Sequence, residues 1–105
     1  METAFSQLLK IVSQKEKPVL VEFWASWCLP CQSSVVVLKE LRKIYKGRVK
    51  IIKVNIDKNP SVSFKYKIKG LPTFILFQDG REIERKVGSQ TRDSLCQVIE
   101  KFLDE

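Results

Sequence analysis

The sequence contains no histidine, and only three cysteines, four glycines and four prolines occur among its 105 residues. Zinc sites usually need four ligands from histidine, cysteine or carboxylates, so three cysteines without a histidine disfavour such a site. No apolar run reaches the roughly 20 residues of a membrane span, and no basic segment followed by a long apolar run begins the chain. We therefore expect a cytoplasmic chain that does not bind membranes.

Acidic residues are in the minority, with 12 aspartates and glutamates against 19 lysines and arginines, and the formal net charge is +7 at pH 7. A basic balance is compatible with nucleic-acid binding. The lysines are spread along the chain, however, and no motif interleaves basic and aromatic residues. We expect a solvated basic surface and no nucleic-acid binding. A preference for acidic protein partners is an alternative that lies between these two interpretations.

The pattern of apolar residues predicts one α/β domain over residues 1–105, with helices on both faces of a mixed four-stranded sheet. A connection through a long helix makes the first two strands parallel, and Asp79-Gly80 is typical of a two-residue turn between antiparallel strands. Helices are predicted over 3–14, 30–46, 60–67 and from Thr91 or Asp93 onward, and strands over 18–25, 49–56, 73–77 and 82–87. The third helix is expected to be capped by Asn59, and the apolar stripe of the second helix is expected to comprise Val35, Leu38, Leu41, Ile44 and Tyr45.

Cys28 and Cys31 are the residues around which the chain is organised, because they lie three positions apart where an apolar strand gives way to a helix. At this spacing two cysteines share one face of a helical turn and can form a disulfide with little backbone movement. The helix N-terminus favours a thiolate at Cys28, and Pro30 suits the first turn. We expect Cys28 to be the exposed nucleophile and Cys31 the shielded, resolving thiol.

Two other interpretations of the cysteine pair remain open from the residues alone. A structural disulfide gains little stability from closing so short a loop. A zinc site would need further ligands, and Cys96, the third cysteine, lies far along the chain and borders the apolar stripe of the last helix. Cys96 is interpreted as a small core residue, with a regulatory thiol as the alternative. Redox chemistry at Cys28 and Cys31 is favoured.

Glu22 is a carboxylate within an otherwise apolar strand. The residue could reach solvent at one face of the sheet, or it could be buried, in which case desolvation raises its pKa and makes it a proton acceptor near neutral pH. The second interpretation is favoured.

Four segments of the chain resemble the thioredoxin family, in the same order and at the same spacing. They are Val21-Glu22-Phe23-Trp24-Ala25-Ser26-Trp27-Cys28-Leu29-Pro30-Cys31, Lys53-Val54-Asn55-Ile56-Asp57-Lys58-Asn59-Pro60, Gly70-Leu71-Pro72-Thr73 and Val87-Gly88. The resemblance runs from about Pro18 to the C-terminus and implies the thioredoxin fold. The strand with which thioredoxins usually begin is missing before the first helix, so strand 49–56 is expected at a sheet edge.

The resemblance also assigns residues to the site. Thioredoxins usually have aspartate where this chain has Glu22, and the lysine on the neighbouring strand corresponds to Lys53; the resemblance implies that Glu22 accepts the proton of Cys31. The proline before the third strand, Pro72, is expected to be cis and to turn the backbone of Leu71 toward the cysteines. An edge position alone is the alternative for this proline.

The function implied is reduction of protein disulfides through a Cys28–Cys31 dithiol cycle, with no cofactor beyond that redox-active disulfide. Partners would be disulfide-containing client proteins and a thioredoxin reductase, and a monomer is expected. Clients would meet a mostly apolar rim formed by Trp27, Leu29, Leu71, Pro72, Val87 and Gly88. Leu29 stands where thioredoxins have glycine. The alternatives are a dedicated electron donor, oxidase or isomerase with few partners, and a binding subunit that does not use its thiols.

Overall fold

The computed structural model describes residues 4–13, 15 and 17–103 and contains the eight elements that the sequence predicts, with shifted ends. The ends predicted at residues 3 and 14 for the first helix lie outside the described residues. In chain order the elements are α1 (Ala4–Val12), β1 (Val19–Trp24), α2 (Leu29–Ile44), β2 (Lys50–Asn55), α3 (Pro60–Lys65), β3 (Thr73–Gln78), β4 (Arg81–Val87) and α4 (Arg92–Glu100).

The strands of the described residues form one mixed sheet in the order β2-β1-β3-β4. β1 and β2 are parallel and are joined through α2, as predicted, whereas β3 is antiparallel to both β1 and β4. Asp79 and Gly80 have positive φ values of 54° and 80°, which is the geometry of the predicted tight turn. β2 lies at an edge of this sheet, so the four-stranded arrangement expected from the missing first strand is confirmed for the described part of the chain.

Helices cover both faces of the sheet, and alternate residues of the central strands point to opposite faces. On one face Leu20, Phe74 and Leu76 pack with Leu38, Leu41 and Ile99 from α2 and α4. On the other face Val21, Phe23 and Ile75 pack with Leu8, Val12 and Val62 from α1 and α3. Two apolar cores therefore hold β1 and β3 between them, and β1 delivers its C-terminal end to the cysteines.

The apolar stripe expected along α2 is partly wrong. Val35 and Ile44 were expected on the inner face but are 51% and 44% exposed. The buried residues are Cys31, Ser34, Leu38 and Leu41, whose spacing of three and four residues marks the side that contacts the sheet. The inner face of α2 thus begins with a cysteine and a serine before it becomes apolar.

The predicted capping of α3 by Asn59 is confirmed in its position but not in its hydrogen bond. Asn59 does occupy the N-cap position and Pro60 the first helical position, but the Asn59 side chain caps no backbone N–H of the helix. Its amide nitrogen instead donates to the carbonyl of Asn55 at 2.9 Å. At α4 the cap forms, since Thr91 Oγ1 accepts from the Ser94 N–H at 3.0 Å; Thr91 rather than Asp93 begins that helix.

Within the residues that the structure describes, every helix is too short or too polar to cross a bilayer. This finding agrees with the absence of a long apolar run in the sequence.

Candidate active site

Cys28 is the N-cap residue of α2 and forms a disulfide with Cys31, as the spacing predicts. Its backbone is extended, with φ −89° and ψ 107°, and Cys31 begins the next turn, so the two α-carbons are 5.4 Å apart. The Cys28 sulfur accepts a hydrogen bond from the backbone N–H of Cys31 at 3.2 Å. The same N–H also donates to the Cys28 carbonyl at 3.2 Å. An N–H of the first helical turn therefore lies against the sulfur and favours negative charge there.

The expectation that Cys28 is the exposed thiol is wrong for the disulfide form. Cys28 is 5% exposed and Cys31 is 3% exposed, so both are buried. The Cys28 sulfur turns inward to meet Cys31 and its N–H, while the neighbouring side chains of Trp27 and Leu29 point into solvent. Cys28 still borders an open groove.

Glu22 is completely buried on β1, which rules out the interpretation that it reaches solvent. Burial raises the pKa of this carboxyl above its usual value. A hydrogen bond from Ser34 and the charges of Lys53 and Arg42 oppose that increase in pKa without cancelling it. The Ser34 hydroxyl donates to Glu22 Oε2, whereas Oε1 has no hydrogen-bond partner among the described residues.

Lys53 is directly opposite Glu22 in the parallel pairing of β1 and β2, as predicted. Its ammonium lies 4.5 Å from the centroid of the Trp24 ring rather than on the carboxylate. Lys53, Trp24 and Cys31 are among the residues that line a small cavity of about 70 Å³. Lys53 therefore acts on Glu22 through its charge at a distance, and it lines the same cavity as Cys31.

The bond between Leu71 and Pro72 is cis, which confirms the prediction. Two hydrogen bonds hold this loop: Thr73 Oγ1 donates to the Gly70 carbonyl at 2.6 Å, and the Gly88 N–H donates to the Pro72 carbonyl at 2.8 Å. The N–H of Gly88, a residue of the predicted rim, is thus already used. The backbone N–H and C=O of Leu71 have no hydrogen-bond partner in the described part of the chain.

An open groove of about 540 Å³ begins at Cys28. The lining residues are Trp27, Cys28, Leu29, Pro30, Ile56, Ile68, Lys69, Gly70 and Leu71. Of the predicted rim, Trp27, Leu29 and Leu71 therefore line this groove. Pro72, Val87 and Gly88 do not line it; Pro72 is buried, while Val87 is exposed at the end of β4.

Sequence reasoning missed two residues of the site. The Asp57 carboxylate accepts a hydrogen bond from the Trp27 indole N–H at 2.8 Å and so fixes one wall of the groove. Ser34 lies one turn beyond Cys31 and contacts Glu22. The signal for Ser34 was present, because a polar residue three positions after Cys31 falls on the same helix face as Leu38.

Among the described residues, no group of three or more histidine, cysteine, aspartate or glutamate side chains is placed to hold a metal ion. Two cysteines that open and close a bond within one helical turn can exchange disulfides with other proteins. This chemistry, on a mixed sheet with helices on both faces, defines the class of protein as a protein-disulfide oxidoreductase.

Comparisons with known proteins identify the family. The family model "Thioredoxin" matches residues 2–101. A thioredoxin of Rickettsia felis is 42% identical over 98 residues, which are 93% of this chain and 93% of that protein. A mutant thioredoxin of Halobacterium salinarum superposes with a TM-score of 0.87 at 31% identity, covering 98% of this chain and 88% of the other. Oxidised thioredoxin of Plasmodium falciparum gives a TM-score of 0.83 at 33% identity, over 98% and 96% of the two chains. The chain belongs to the thioredoxin family.

Proposed function

We propose that the chain works in the reducing direction, as a monomeric cytoplasmic electron carrier that reduces disulfides of client proteins and is itself reduced by a thioredoxin reductase. The observation that carries the proposal is the Cys28 sulfur at the N-cap of α2, bonded to Cys31 and receiving the Cys31 N–H. Such a position stabilises Cys28 as a thiolate once the disulfide is opened, and the thiolate is the attacking species in disulfide exchange.

The proposed reaction has two exchanges. The Cys28 thiolate attacks one sulfur of the client disulfide, so that a mixed disulfide forms and the other client sulfur leaves as a thiolate. Cys31 then loses its proton and attacks the Cys28 sulfur, which releases the second client thiolate and closes the Cys28–Cys31 disulfide. Two electrons pass from the dithiol to the client. The α-carbon separation of 5.4 Å allows that closure within the existing turn.

Glu22 is the proposed acceptor of the Cys31 proton in the second exchange. Burial raises the pKa of the Glu22 carboxyl and so brings this pKa nearer to the pH at which the reaction runs, as suits a proton acceptor. Lys53 lies on the wall of the cavity that Cys31 also lines, and its charge favours the ionised form of Glu22. Lys53 is thus proposed to limit how far burial raises the Glu22 pKa.

The client segment is proposed to lie extended in the groove beside Cys28. Leu71 supports this proposal, because its backbone N–H and C=O are unpaired among the described residues and can add to a strand-like segment. Pro72 holds that backbone at the site, and its own carbonyl is occupied by Gly88. Exposed side chains of Trp27, Leu29 and Val87 supply apolar contact without fixing a particular client sequence.

A redox titration of the purified chain, followed by reduction of insulin disulfides with candidate reductases as electron donors, tests the proposal. A reducing potential near the roughly −270 mV of thioredoxin, with turnover supported by a thioredoxin reductase, is expected. A strongly oxidising potential, near about −120 mV, would contradict the reductase proposal and favour an oxidase. Analytical ultracentrifugation at the concentration used in the assay tests whether the chain is a monomer.

Glu22→Gln is expected to slow client reduction at neutral pH by roughly tenfold or more, because glutamine accepts no proton. In the wild-type chain the rate of the second exchange should rise with pH as Glu22 ionises, through a pKa above the usual value. That rise should be absent from the variant. Stopped-flow measurement of the rate across the pH range provides the comparison.

The matched control is Glu84→Gln, a change of the same side chain at a surface ion pair with Lys101 at 3.3 Å. It should leave the pH profile unchanged. Identical pH profiles for Glu22→Gln and the wild-type chain would remove Glu22 from the reaction.

Glu22→Gln is also expected to change how stability depends on pH. The folded-state pKa of Glu22 is raised above its usual value of 4.5 by burial, so the folded chain holds this proton more tightly than the unfolded chain. The stability from protonated Glu22 is therefore complete below the unfolded pKa and is lost as the pH rises through the folded pKa. Denaturant unfolding at about pH 4 and about pH 8 should show the variant gaining stability relative to wild type at the higher pH.

The comparison between two pH values removes any constant effect of placing an amide in this site. If the unfolding free energies of variant and wild type differ by the same amount at both pH values, the folded state does not raise the pKa of Glu22.

A further inference from the structure

Ser34 is a buried polar residue on the inner face of α2, with 2% of its surface exposed. Its hydroxyl oxygen lies within hydrogen-bond distance of two acceptors, Glu22 Oε2 and the backbone carbonyl of Cys31, the second at 2.6 Å. One hydroxyl has one proton and two lone pairs. Ser34 therefore connects the buried carboxyl of β1 to the helical turn that carries the resolving cysteine.

This arrangement satisfies both protonation states of Glu22. When the carboxyl is ionised, the Ser34 proton goes to the carboxylate, which is the stronger acceptor. When the carboxyl is protonated, it can donate to Ser34 Oγ while Ser34 donates to the Cys31 carbonyl. With Glu22 ionised, Ser34 has one charged partner; with Glu22 protonated, Ser34 has a partner on each side. The contact between Ser34 and Glu22 is therefore retained when Glu22 gains or loses its proton.

Other groups act on Glu22 only through their charge. Lys53 faces it from β2 and Arg42 from α2, and both favour the ionised carboxyl. The Lys53 ammonium is over the Trp24 ring, and the described part of the chain contains no ion pair between Lys53 and Glu22. Since Oε1 is also unpartnered there, Ser34 is the only hydrogen-bonding group that sets the direction of the Glu22 side chain.

We propose that Ser34 is a positioning residue, which holds the Glu22 carboxyl against the first turn of α2 and so keeps it beside Cys31. Glutamate has a longer and more rotatable side chain than aspartate, and one hydrogen bond to a rigid helix restricts it to a single direction. The inference rests on the proposed function, because it concerns the group proposed to accept the Cys31 proton.

The test is a pH titration of Glu22 in Ser34→Ala. Carbon NMR of the chain, labelled at its glutamate carboxyls, monitors the titration. Loss of the hydroxyl removes the hydrogen bond of either form, and the bond to the ionised carboxylate is the stronger of the two, so the Glu22 midpoint should move up by about one pH unit. The pH profile of client reduction should move in the same direction. Ser34→Thr retains the hydroxyl and should titrate as wild type does.

Ser33→Ala is the matched control. Ser33 is the neighbouring serine, and its hydroxyl also donates to a carbonyl three residues earlier, that of Pro30 at 2.9 Å, but its side chain is exposed. The Glu22 midpoint should not move in Ser33→Ala. A measurement on the wild-type chain needs no variant to fold: the buried Ser34 hydroxyl proton should be protected from exchange, and its chemical shift should follow the titration of Glu22.

A Glu22 midpoint in Ser34→Ala equal to that of wild type would overturn the inference, as would a Ser34→Thr midpoint displaced as far as that of Ser34→Ala. A wild-type Ser34 hydroxyl shift that ignores the Glu22 titration would overturn it as well. The proposed function fails differently: Glu22→Gln would then leave the pH profile of reduction unchanged, while the Ser34→Ala shift in the Glu22 midpoint would persist.

Discussion

Cys31→Ser is expected to reduce turnover by roughly 100-fold or more and to leave the chain covalently joined to its clients through Cys28. A serine hydroxyl does not displace a thiolate from the mixed disulfide, so the reaction stops after the first exchange. Incubation of the reduced variant with an oxidised protein substrate should give a product of the combined mass, seen on a non-reducing gel and released by dithiothreitol.

Two control variants locate the attachment. Cys28→Ser should show neither turnover nor trapping, because Cys28 lines the open groove in which the client is proposed to lie and Cys31 does not. Adding Cys96→Ser to Cys31→Ser should leave the amount of trapped client unchanged, since Cys96 packs beside the core formed by α2, α4 and the sheet. Trapping that requires Cys96, or that is absent in Cys31→Ser under oxidising conditions, would contradict the proposed order of attack.

Ile75→Ala is expected to lower the free energy of unfolding by about 3 to 5 kcal/mol, which is a large part of the total for a domain of this size. Ile75 is fully buried on β3, between β1 and β4, and packs with Val21, Val12 and Phe77 on the side of α1 and α3. Truncation leaves a cavity that a central strand cannot close. Urea unfolding should show a lower midpoint, and the melting temperature should fall by more than about 10 °C.

Ile44→Ala makes the same change at the last residue of α2, where the side chain is 44% exposed. Its cost should remain within about 1 kcal/mol, because little apolar surface is returned to water and alanine is a good helix former. Equal losses for the two variants would mean that Ile75 does not have the burial described above.

Most of the fold could be predicted from the sequence because neighbouring residues determine it. The run from Val19 to Phe23 is apolar at every position but one, which is typical of a strand covered on both faces. Asp79-Gly80 predicts its turn because both positions need positive φ. Predictions failed where a side chain had two partners to choose from, as at Asn59, whose amide bonds to Asn55 instead of capping α3.

The site was predicted less completely, because its geometry depends on contacts between distant segments. Helical spacing and the resemblance located Cys28, Cys31, Glu22 and Pro72, but spacing does not determine which side chain of α2 meets Glu22. Ser34 does so because α2 turns Val35 outward. The burial of Cys28 was missed for a similar reason: its sulfur turns toward Cys31, and this inward direction follows from the completed helix turn rather than from the motif.

The pairing of Cys31 with a cysteine that borders the groove has a further chemical result. An oxidant such as hydrogen peroxide can reach Cys28 from the open groove, which Cys31 does not line. A sulfenic acid formed at Cys28 would condense with the thiol of Cys31 and release water, which yields the ordinary disulfide. Because the second sulfur lies within bonding reach of the first, this oxidation ends in the disulfide that the protein already forms, before either sulfur reaches an irreversible oxidation state.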